Sequence, residues 1–291
     1  MLNPQPVGNI KSMPDPVRVI AVTSGKGGVG KTNISVNLAA SLSLAGQRVM
    51  LMDADLGLAN VDVLLGLEPQ FDLQHVISGE KSLDEIIVQG PLGIHVVPAS
   101  SGVEKMAELT SVEHASLIAA FSELKQPIDV LIVDTAAGIA DGVVSFAKAR
   151  QEVIVVVCDE PTSLTDAYAL IKVLSMRHGI KQFQILANMV KDESQGLNLY
   201  EKLLNTTDRF LEVGLKYLGA VPFDEQLRQS VRSQKPVIEA YPRSPSAKAL
   251  VRIGEKINRW PLPDQATGYL QFFVERLLAA AGSTAKPVAA D

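Results

Sequence analysis

One segment of eight residues, Gly25–Thr32, contains four glycines and constrains the fold of this chain more than any other feature. The apolar run Val17–Thr23 lies before it, and Ile34, Leu38 and Leu42 follow it at intervals of four residues. The apolar run is typical of a buried strand, and the four-residue spacing predicts one face of a helix. Because glycine tolerates the backbone angles of a tight connection, the sequence predicts a strand, a short loop and a helix in succession.

Strand-like runs and helical segments alternate along the rest of the chain. The runs are short and rich in β-branched residues, and they lie at Arg48–Asp53, Ile94–Pro98, Ile128–Asp134, Val153–Cys158, Phe183–Asn188 and Tyr217–Val221. Such alternation favours right-handed crossovers. Hydrophobic residues make up 47% of the chain and aromatic residues 5%, an aliphatic composition that suits strands covered on both faces. We therefore predict an α/β fold with a doubly wound, mostly parallel sheet flanked by helices.

The chain is expected to form one domain with three flanking segments. The domain spans residues 17–264. A flexible tail precedes it at 1–16, an amphipathic helix follows at 265–281, and a disordered tail ends the chain at 282–291. The first segment lacks the apolar stretch of a signal peptide, and no segment reaches the ~18–20 apolar residues of a membrane span. We therefore expect a cytoplasmic protein.

Charge and cysteine content argue against several classes of function. The formal net charge is −5, and the sequence has no long run of basic residues to neutralise phosphates, so direct sequence-specific DNA binding is not expected. Cys158 is the one cysteine of the chain. An intrachain disulfide is therefore excluded, as is a cysteine pair for zinc or an iron–sulfur cluster.

The glycine segment has the composition of a phosphate-binding loop. Its glycines let backbone N–H groups turn toward phosphate oxygens, and the positive end of the following helix adds to their field. Lys31 is placed to reach the β- and γ-phosphates, and the Thr32 hydroxyl to bind Mg2+. The residues of the loop that we predict to bind ATP are Gly25, Lys26, Gly27, Gly28, Val29, Gly30, Lys31 and Thr32.

The same glycines also fit the Gly-x-Gly-x-x-Gly pattern of dinucleotide-binding oxidoreductases, with Asp53 in the place of the ribose-binding acid. Three features favour a nucleoside triphosphatase instead. Lys31-Thr32 adds a phosphate-seeking cation and a metal-binding hydroxyl, and Asp55 lies close to Asp53. Farther along, the aliphatic run Asp129–Asp134 ends in a carboxylate that could hold Mg2+ through water.

Lys26, one residue after the first glycine, makes the loop resemble that of the deviant Walker A ATPases, a family that includes MinD, ParA and the nitrogenase iron protein. The resemblance implies an ATP-driven homodimer in which Lys26 crosses the interface and contacts phosphate bound to the other subunit. It also implies that Asp55 positions the attacking water. Asp53 is expected to support the Mg2+ region, with Thr32 and Asp134 as the other metal-site residues. The catalytic residues so implied are Lys26, Lys31 and Asp55.

Residues that bind the base are less visible in the sequence. Asn188 ends a predicted strand at the expected nucleotide edge of the sheet, and a Pro-Phe-Asp turn follows the last strand. Both positions resemble those that contact adenine in this family. The predicted base-side residues are Asn188, Pro222, Phe223 and Asp224, with Glu160 and Arg228 as weaker candidates.

Three segments resemble the flagellar branch of the family, the FlhG/FleN group: Asp53–Leu67, Asp134–Ala140 and Cys158–Ala167. This resemblance implies a regulator that limits flagellar number by restraining a FleQ-like master transcriptional activator. A MinD-type ATPase that positions the cell-division site is the alternative. A small-molecule enzyme is disfavoured because no further catalytic constellation is visible.

The segment Tyr269–Leu278 has an amphipathic pattern, with Tyr269, Phe273, Val274 and Leu277 in one stripe. MinD relatives use such a helix as a membrane anchor. Here the polar face carries one basic residue, Arg276, beside Glu275, whereas anionic lipid favours a basic face. Docking of the helix onto its own domain and weak contact with the inner membrane or cell pole both stay open.

Overall fold

The computed structural model describes residues 17–54, 60–98, 111–138 and 152–261. These residues form an eight-stranded sheet with the order β3-β4-β2-β5-β1-β6-β7-β8. The strands are β1 Arg18–Ser24, β2 Val49–Ala54, β3 Val88–Gln89, β4 His95–Val97, β5 Val130–Ala137, β6 Glu152–Val157, β7 Gln182–Val190 and β8 Gly214–Pro222. Neighbouring strands pair in parallel except β3 and β4, which are antiparallel.

Ten α-helices lie among the described residues. They are α1 Lys31–Leu44, α2 Val61–Leu65, α3 Leu73–Ile77, α4 Leu83–Ile86, α5 Ser111–Ser122, α6 Pro161–His178, α7 Glu193–Phe210, α8 Glu225–Arg232, α9 Val237–Ala240 and α10 Pro245–Asn258. A 3₁₀ turn at Pro91–Gly93 precedes β4. No helix in the described ranges is long and apolar enough to cross a membrane.

Alternate residues of the central strands pack into two different helix layers. Val130 and Ile132 of β5 join the apolar cluster that contains residues of α1 and α10. Leu131 and Val133 join the cluster on the opposite face. In β6 the same alternation sends Val155 toward α6 and α7. Because both faces of these central strands are covered, their sequences are mostly apolar.

The predicted doubly wound α/β fold is confirmed, and each predicted strand overlaps an observed one. The sequence missed β3, which has only two residues, Val88 and Gln89, and therefore has no periodicity to detect. The tail at 1–16, the helix at 265–281 and the tail at 282–291 lie outside the described residues. Asp55 does as well.

Candidate functional site

The predicted phosphate and metal residues meet at the carboxyl end of the parallel sheet. The glycine loop leaves β1, which lies beside β5, and β5 lies beside β2. Asp53 at the end of β2 is the register partner of Asp134 in β5. This edge of an open parallel sheet is where ligands bind in α/β proteins.

The loop has the backbone conformation that its glycines predict. Gly28 and Gly30 have φ angles of 80° and 88°, in the left-handed region, which residues with a Cβ rarely adopt. Gly30 directly precedes Lys31, the first residue of α1. The N–H groups of the first turn of α1 therefore face the end of the loop, as phosphate binding requires.

Neighbouring elements hold the loop closely. The Asn188 side chain, on β7, donates from Nδ2 to the carbonyl oxygen of Val29 at 2.8 Å. A Cβ at Gly30 would lie 2.5 Å from the same Nδ2, and a Cβ at Gly25 would lie 2.1 Å from the backbone of Asp166 in α6. At both positions, therefore, a larger residue would force the loop away from its supports.

A cavity of about 850 Å³ opens above the loop. Lys31 lies in its wall and is buried, and Thr32 follows it. The lining residues are Gly27, Gly28, Gly30, Lys31, Thr32, Asn33, Asn60, Val63, Leu64, Ala137, Met189, Val231, Arg232 and Gln234. The cavity thus has a phosphate-loop floor, one wall from α2 and another from the end of α8.

Asp134 is a wholly buried carboxyl beside the loop. Its Oδ1 accepts a hydrogen bond from the Ser35 hydroxyl at 2.7 Å, and its buried Oδ2 has no hydrogen-bond partner among the described residues. Burial, with a smaller effect from Asp53, raises the pKa of Asp134 to about 7, although the hydroxyls of Thr32 and Ser35 and the charge of Lys31 oppose this. An unpartnered carboxylate oxygen suits a hydrated cation, so these residues fit ATP with Mg2+.

Asp53 binds the start of α2 through its carboxylate. Its Oδ2 accepts hydrogen bonds from the backbone N–H groups of Asn60 and Val61 at 3.0 and 3.1 Å. These groups lie at the N-terminal end of α2, so the carboxylate links the start of this helix to the end of β2. Its predicted support of the Mg2+ region stays a prediction.

Lys26 points away from the cavity, toward α6. Its Nζ forms an ion pair with the Glu160 carboxylate and donates to the Thr162 hydroxyl at 3.1 Å. The hydrogen bond to Glu160 is the main cause that raises the pKa of Lys26. The Ser24 hydroxyl donates to the Lys26 carbonyl oxygen at 2.6 Å. Within one chain, therefore, the lysine is held on the outer side of the loop.

Glu160→Gln is expected to favour ATP-induced dimerisation, because it frees Lys26 to reach another subunit. Because an exposed ion pair holds its lysine only weakly, the ATP concentration at half-maximal dimerisation should fall by no more than roughly fivefold. Light scattering during an ATP titration measures this. Glu225→Gln breaks a comparable exposed pair with Arg228 and serves as control. Weaker dimerisation of Glu160→Gln would show that the glutamate supports the dimer.

Four of the predicted base-side residues, Asn188, Pro222, Phe223 and Asp224, lie together at the carboxyl ends of β7 and β8, where Asn188 pairs with Val221 and Val190 pairs with Pro222. Asn188 supports the loop, as described above, and Pro222 ends β8. Phe223 is exposed. The Asp224 carboxylate caps α8 by accepting from the Gln226 N–H at 2.9 Å, and it also accepts from the hydroxyl of Ser246, in the first turn of α10, at 2.7 Å.

Arg228 pairs with Glu225 at 3.3 Å, and Glu160 pairs with Lys26 of the phosphate loop. Among the described residues, the cavity wall includes none of Asn188, Pro222, Phe223, Asp224 and Arg228. Their contact with adenine stays a prediction.

Nine lining residues were not predicted as site residues from the sequence: Asn33, Asn60, Val63, Leu64, Ala137, Met189, Val231, Arg232 and Gln234. Arg232 had a usable signal, because it lies four residues after Arg228 and so shares its face of α8. Met189 had none. Its positive φ of 56° and the shift in strand register around it appear only in the structure.

A parallel sheet, a left-handed glycine loop that opens a helix on Lys-Thr, and a buried carboxyl at the end of β5 together define a P-loop nucleoside triphosphatase. Residues 16–258 match the ParA family, described as NUBPL iron-transfer P-loop NTPase. The chain is 56% identical over 263 residues to the antiactivator FleN of Pseudomonas aeruginosa, covering 90% of this chain and 94% of that protein.

A second relative is the flagellum site-determining protein YlxH of Helicobacter pylori, 34% identical over 266 residues and covering 90% of each chain. The MinD protein of Pyrococcus horikoshii, solved with Mg-ADP, has a TM-score of 0.65 at 23% identity, covering 84% of this chain and 96% of that one. At this identity the likeness concerns the fold.

The chain belongs to the ParA family of P-loop NTPases. Membership in that family implies ATPase activity, and the predicted resemblance to the MinD/ParA ATPases and their FlhG/FleN group is confirmed.

Proposed function

We propose that this protein is an ATP-dependent dimerising switch that limits flagellar number by binding and restraining a FleQ-like master transcriptional activator. The observation that carries the proposal is the 56% identity, over 90% of the chain, to a protein named an antiactivator. The site geometry adds a reason for the switch: Lys26 is held away from the cavity of its own chain.

The described residues support nucleotide binding by one chain alone. Lys31 and the first turn of α1 would hold the phosphates, and Asp134 with Thr32 would hold Mg2+, which when bound offsets charge on the phosphoryl group. Asp53 would keep this metal side in place through Asn60. A single subunit therefore carries the residues proposed to bind ATP, without a second subunit.

Hydrolysis would need the second subunit. Lys26 in the proposed dimer supplies a cation to the phosphates of the other subunit, as an arginine finger does, and stabilises charge in the transition state. Asp55, outside the described residues, would orient the water. ATP turnover is therefore expected to be slow in the monomer and to rise with dimerisation.

The alternative is a MinD-type ATPase that positions the cell-division site, supported by a lower identity, 30% over 250 residues to a septum site-determining protein MinD, and by the shared fold. The two functions differ in their partner, which is a flagellar activator in one case and a division inhibitor in the other. Weak membrane contact through the helix at 265–281, and a location at the inner membrane or cell pole, stay predictions.

Binding of the purified activator from the same organism tests the proposal. Asp55→Ala should bind ATP, hydrolyse it at least ~10²-fold more slowly and accumulate as a dimer, so it should retain the activator in Mg-ATP. Wild-type protein in ADP and Lys31→Ala in Mg-ATP should retain much less. Equal retention in ATP and ADP would contradict an ATP-gated switch, and retention of a division inhibitor instead would favour the MinD-type function.

A further inference from the structure

Helix α2 is held by two side chains from distant parts of the chain, Asp53 of β2 and Gln234 beyond the end of α8. At its N-terminal end, the Asp53 carboxylate accepts from the N–H groups of Asn60 and Val61. Farther along the helix, the Val63 carbonyl oxygen accepts from Gln234 Nε2 at 3.0 Å. Five residues are too few for a helix to be stable by its own hydrogen bonds. Contacts with the rest of the protein therefore determine where α2 lies.

Packing fixes the inner side of α2 but not its outer side. Val61, Leu64 and Leu65 belong to the buried apolar cluster around α1, whereas Val63 is exposed and forms part of the cavity wall. Gln234 donates its hydrogen bond to Val63, on this outer side. The hydrogen bond therefore restrains α2 where apolar packing does not.

Gln234 is itself closely constrained. Its φ angle of 54° lies in the left-handed region, which is uncommon for a residue with a Cβ. Its side chain lies against Gly66, where an added Cβ would approach Oε1 to 3.2 Å. Lys235 N–H donates to the Ser230 carbonyl oxygen at 3.0 Å, which ties the segment back to α8. A left-handed non-glycine residue persists where its surroundings hold it, so the amide is aimed at α2 by a rigid support.

We propose that Gln234 is a positioning residue that links the wall formed by the end of α8 to α2 and, through Asn60 and Asp53, to the metal side of the site. This inference rests on the proposed nucleotide site. A shift of α2 would move the N–H groups that Asp53 accepts from. It would leave the phosphate loop in place, because Asn188 holds that loop from β7.

Gln234→Leu tests the link, because it removes the amide donor at nearly constant volume. The kcat for ATP hydrolysis at saturating Mg-ATP should fall roughly five- to tenfold, the effect of one lost hydrogen bond. The Kd for a fluorescent ATP analogue should stay at the wild-type value. Gln234→Glu should lower kcat further, since it sets a carboxylate against the Val63 carbonyl. Gln229→Leu, an exposed position on α8 outside the cavity wall, is the matched control and should behave as wild type.

The other outcomes separate this inference from the proposed function. Equal kcat for Gln234→Leu and Gln229→Leu would overturn the positioning role. A joint loss of kcat, ATP affinity and melting temperature in Gln234→Leu would also overturn it, because that pattern marks a residue that serves the fold alone. If wild-type protein itself neither bound nor hydrolysed Mg-ATP, the proposed function would fail, and the inference with it.

Discussion

Lys26→Ala is expected to bind ATP as the wild-type protein does but to remain monomeric, whereas Lys31→Ala is expected to weaken ATP binding itself. The two lysines lie in the same loop and face different surroundings. Lys31 is buried in the cavity wall, and Lys26 is held outside it by Glu160 and Thr162. Removing Lys26 therefore leaves the site of its own chain intact.

The two substitutions should affect different quantities, ATP affinity for Lys31 and the rate of hydrolysis for Lys26. Loss of the charged hydrogen bonds of Lys31 costs about 1.5–3 kcal/mol, which weakens nucleotide binding by roughly 10- to 100-fold. Loss of Lys26 should lower kcat by about 10³-fold or more, the contribution of a cation supplied by a second subunit. A fluorescent ATP analogue measures binding, and light scattering with a slowly hydrolysed analogue measures dimerisation.

Lys81→Ala is the matched control for the charge change. Lys81 forms an exposed ion pair with Glu85 at 3.1 Å and is not part of the cavity wall. It should bind ATP, dimerise and hydrolyse as wild type. If Lys26→Ala instead forms dimers as stable as those of wild type, the lysine does not act across the interface.

The residues that a short local pattern identifies were predictable from the sequence. The phosphate loop needs glycines and Lys-Thr in a fixed order after a strand, and the structure shows the left-handed glycines that this order implies. Asp134 ends an aliphatic run, and its buried position follows from the burial of β5. In both cases the chemistry depends on neighbours in sequence, so the sequence alone was enough.

The cavity walls were not predictable in the same way, because they depend on contacts between distant segments. Gln234 lies 171 residues from its acceptor Val63, and no pattern in either segment points to the other. Asp224 shows the opposite problem. A Pro-x-Asp turn near the base side fits a ligand contact and a helix cap equally well. In the structure Asp224 caps α8 through the Gln226 N–H and contacts Ser246 of α10, and its contact with adenine stays a prediction.

A second large effect is expected from Asp134→Asn, which should change how the stability of the ligand-free protein depends on pH. Burial raises the pKa of Asp134 to about 7 from its ordinary value of 3.8. In the unfolded state this carboxyl ionises near pH 4, whereas in the folded state burial keeps it protonated up to about pH 7. The free energy of unfolding therefore falls progressively as the pH rises from about 4 to 7, and above pH 7 the loss is complete.

The asparagine side chain of the Asp134→Asn variant carries no charge, so the variant should not show this loss. Each unit of pKa difference corresponds to about 1.4 kcal/mol, and the stability of the variant relative to wild type should therefore rise by a few kcal/mol from pH 4 to pH 8. Denaturant unfolding with a chelator present measures it. The change with pH is the useful quantity, because the asparagine NH₂ also leaves a buried donor to be satisfied, at a cost that is the same at every pH.

Asp129→Asn provides a control of opposite sign. Asp129 forms an ion pair with Arg48 and accepts from its backbone N–H at 2.7 Å. The hydrogen bond from the Arg48 side chain is the largest cause that lowers the pKa of Asp129. Ionisation of this carboxyl therefore stabilises the fold, and its replacement should lower stability at pH 8 more than at pH 4.

Mg-ATP should make wild type more stable to unfolding than Asp134→Asn, the reverse of the order without ligand above pH 7. The ligand stabilises only a protein that binds it, by an amount that grows with its concentration over Kd, so wild type should gain and the variant should gain much less. If Asp134→Asn and wild type instead show the same pH dependence without ligand, neighbouring groups already stabilise the ionised form of the buried carboxyl. In that case Mg2+ would not be needed to stabilise that charge.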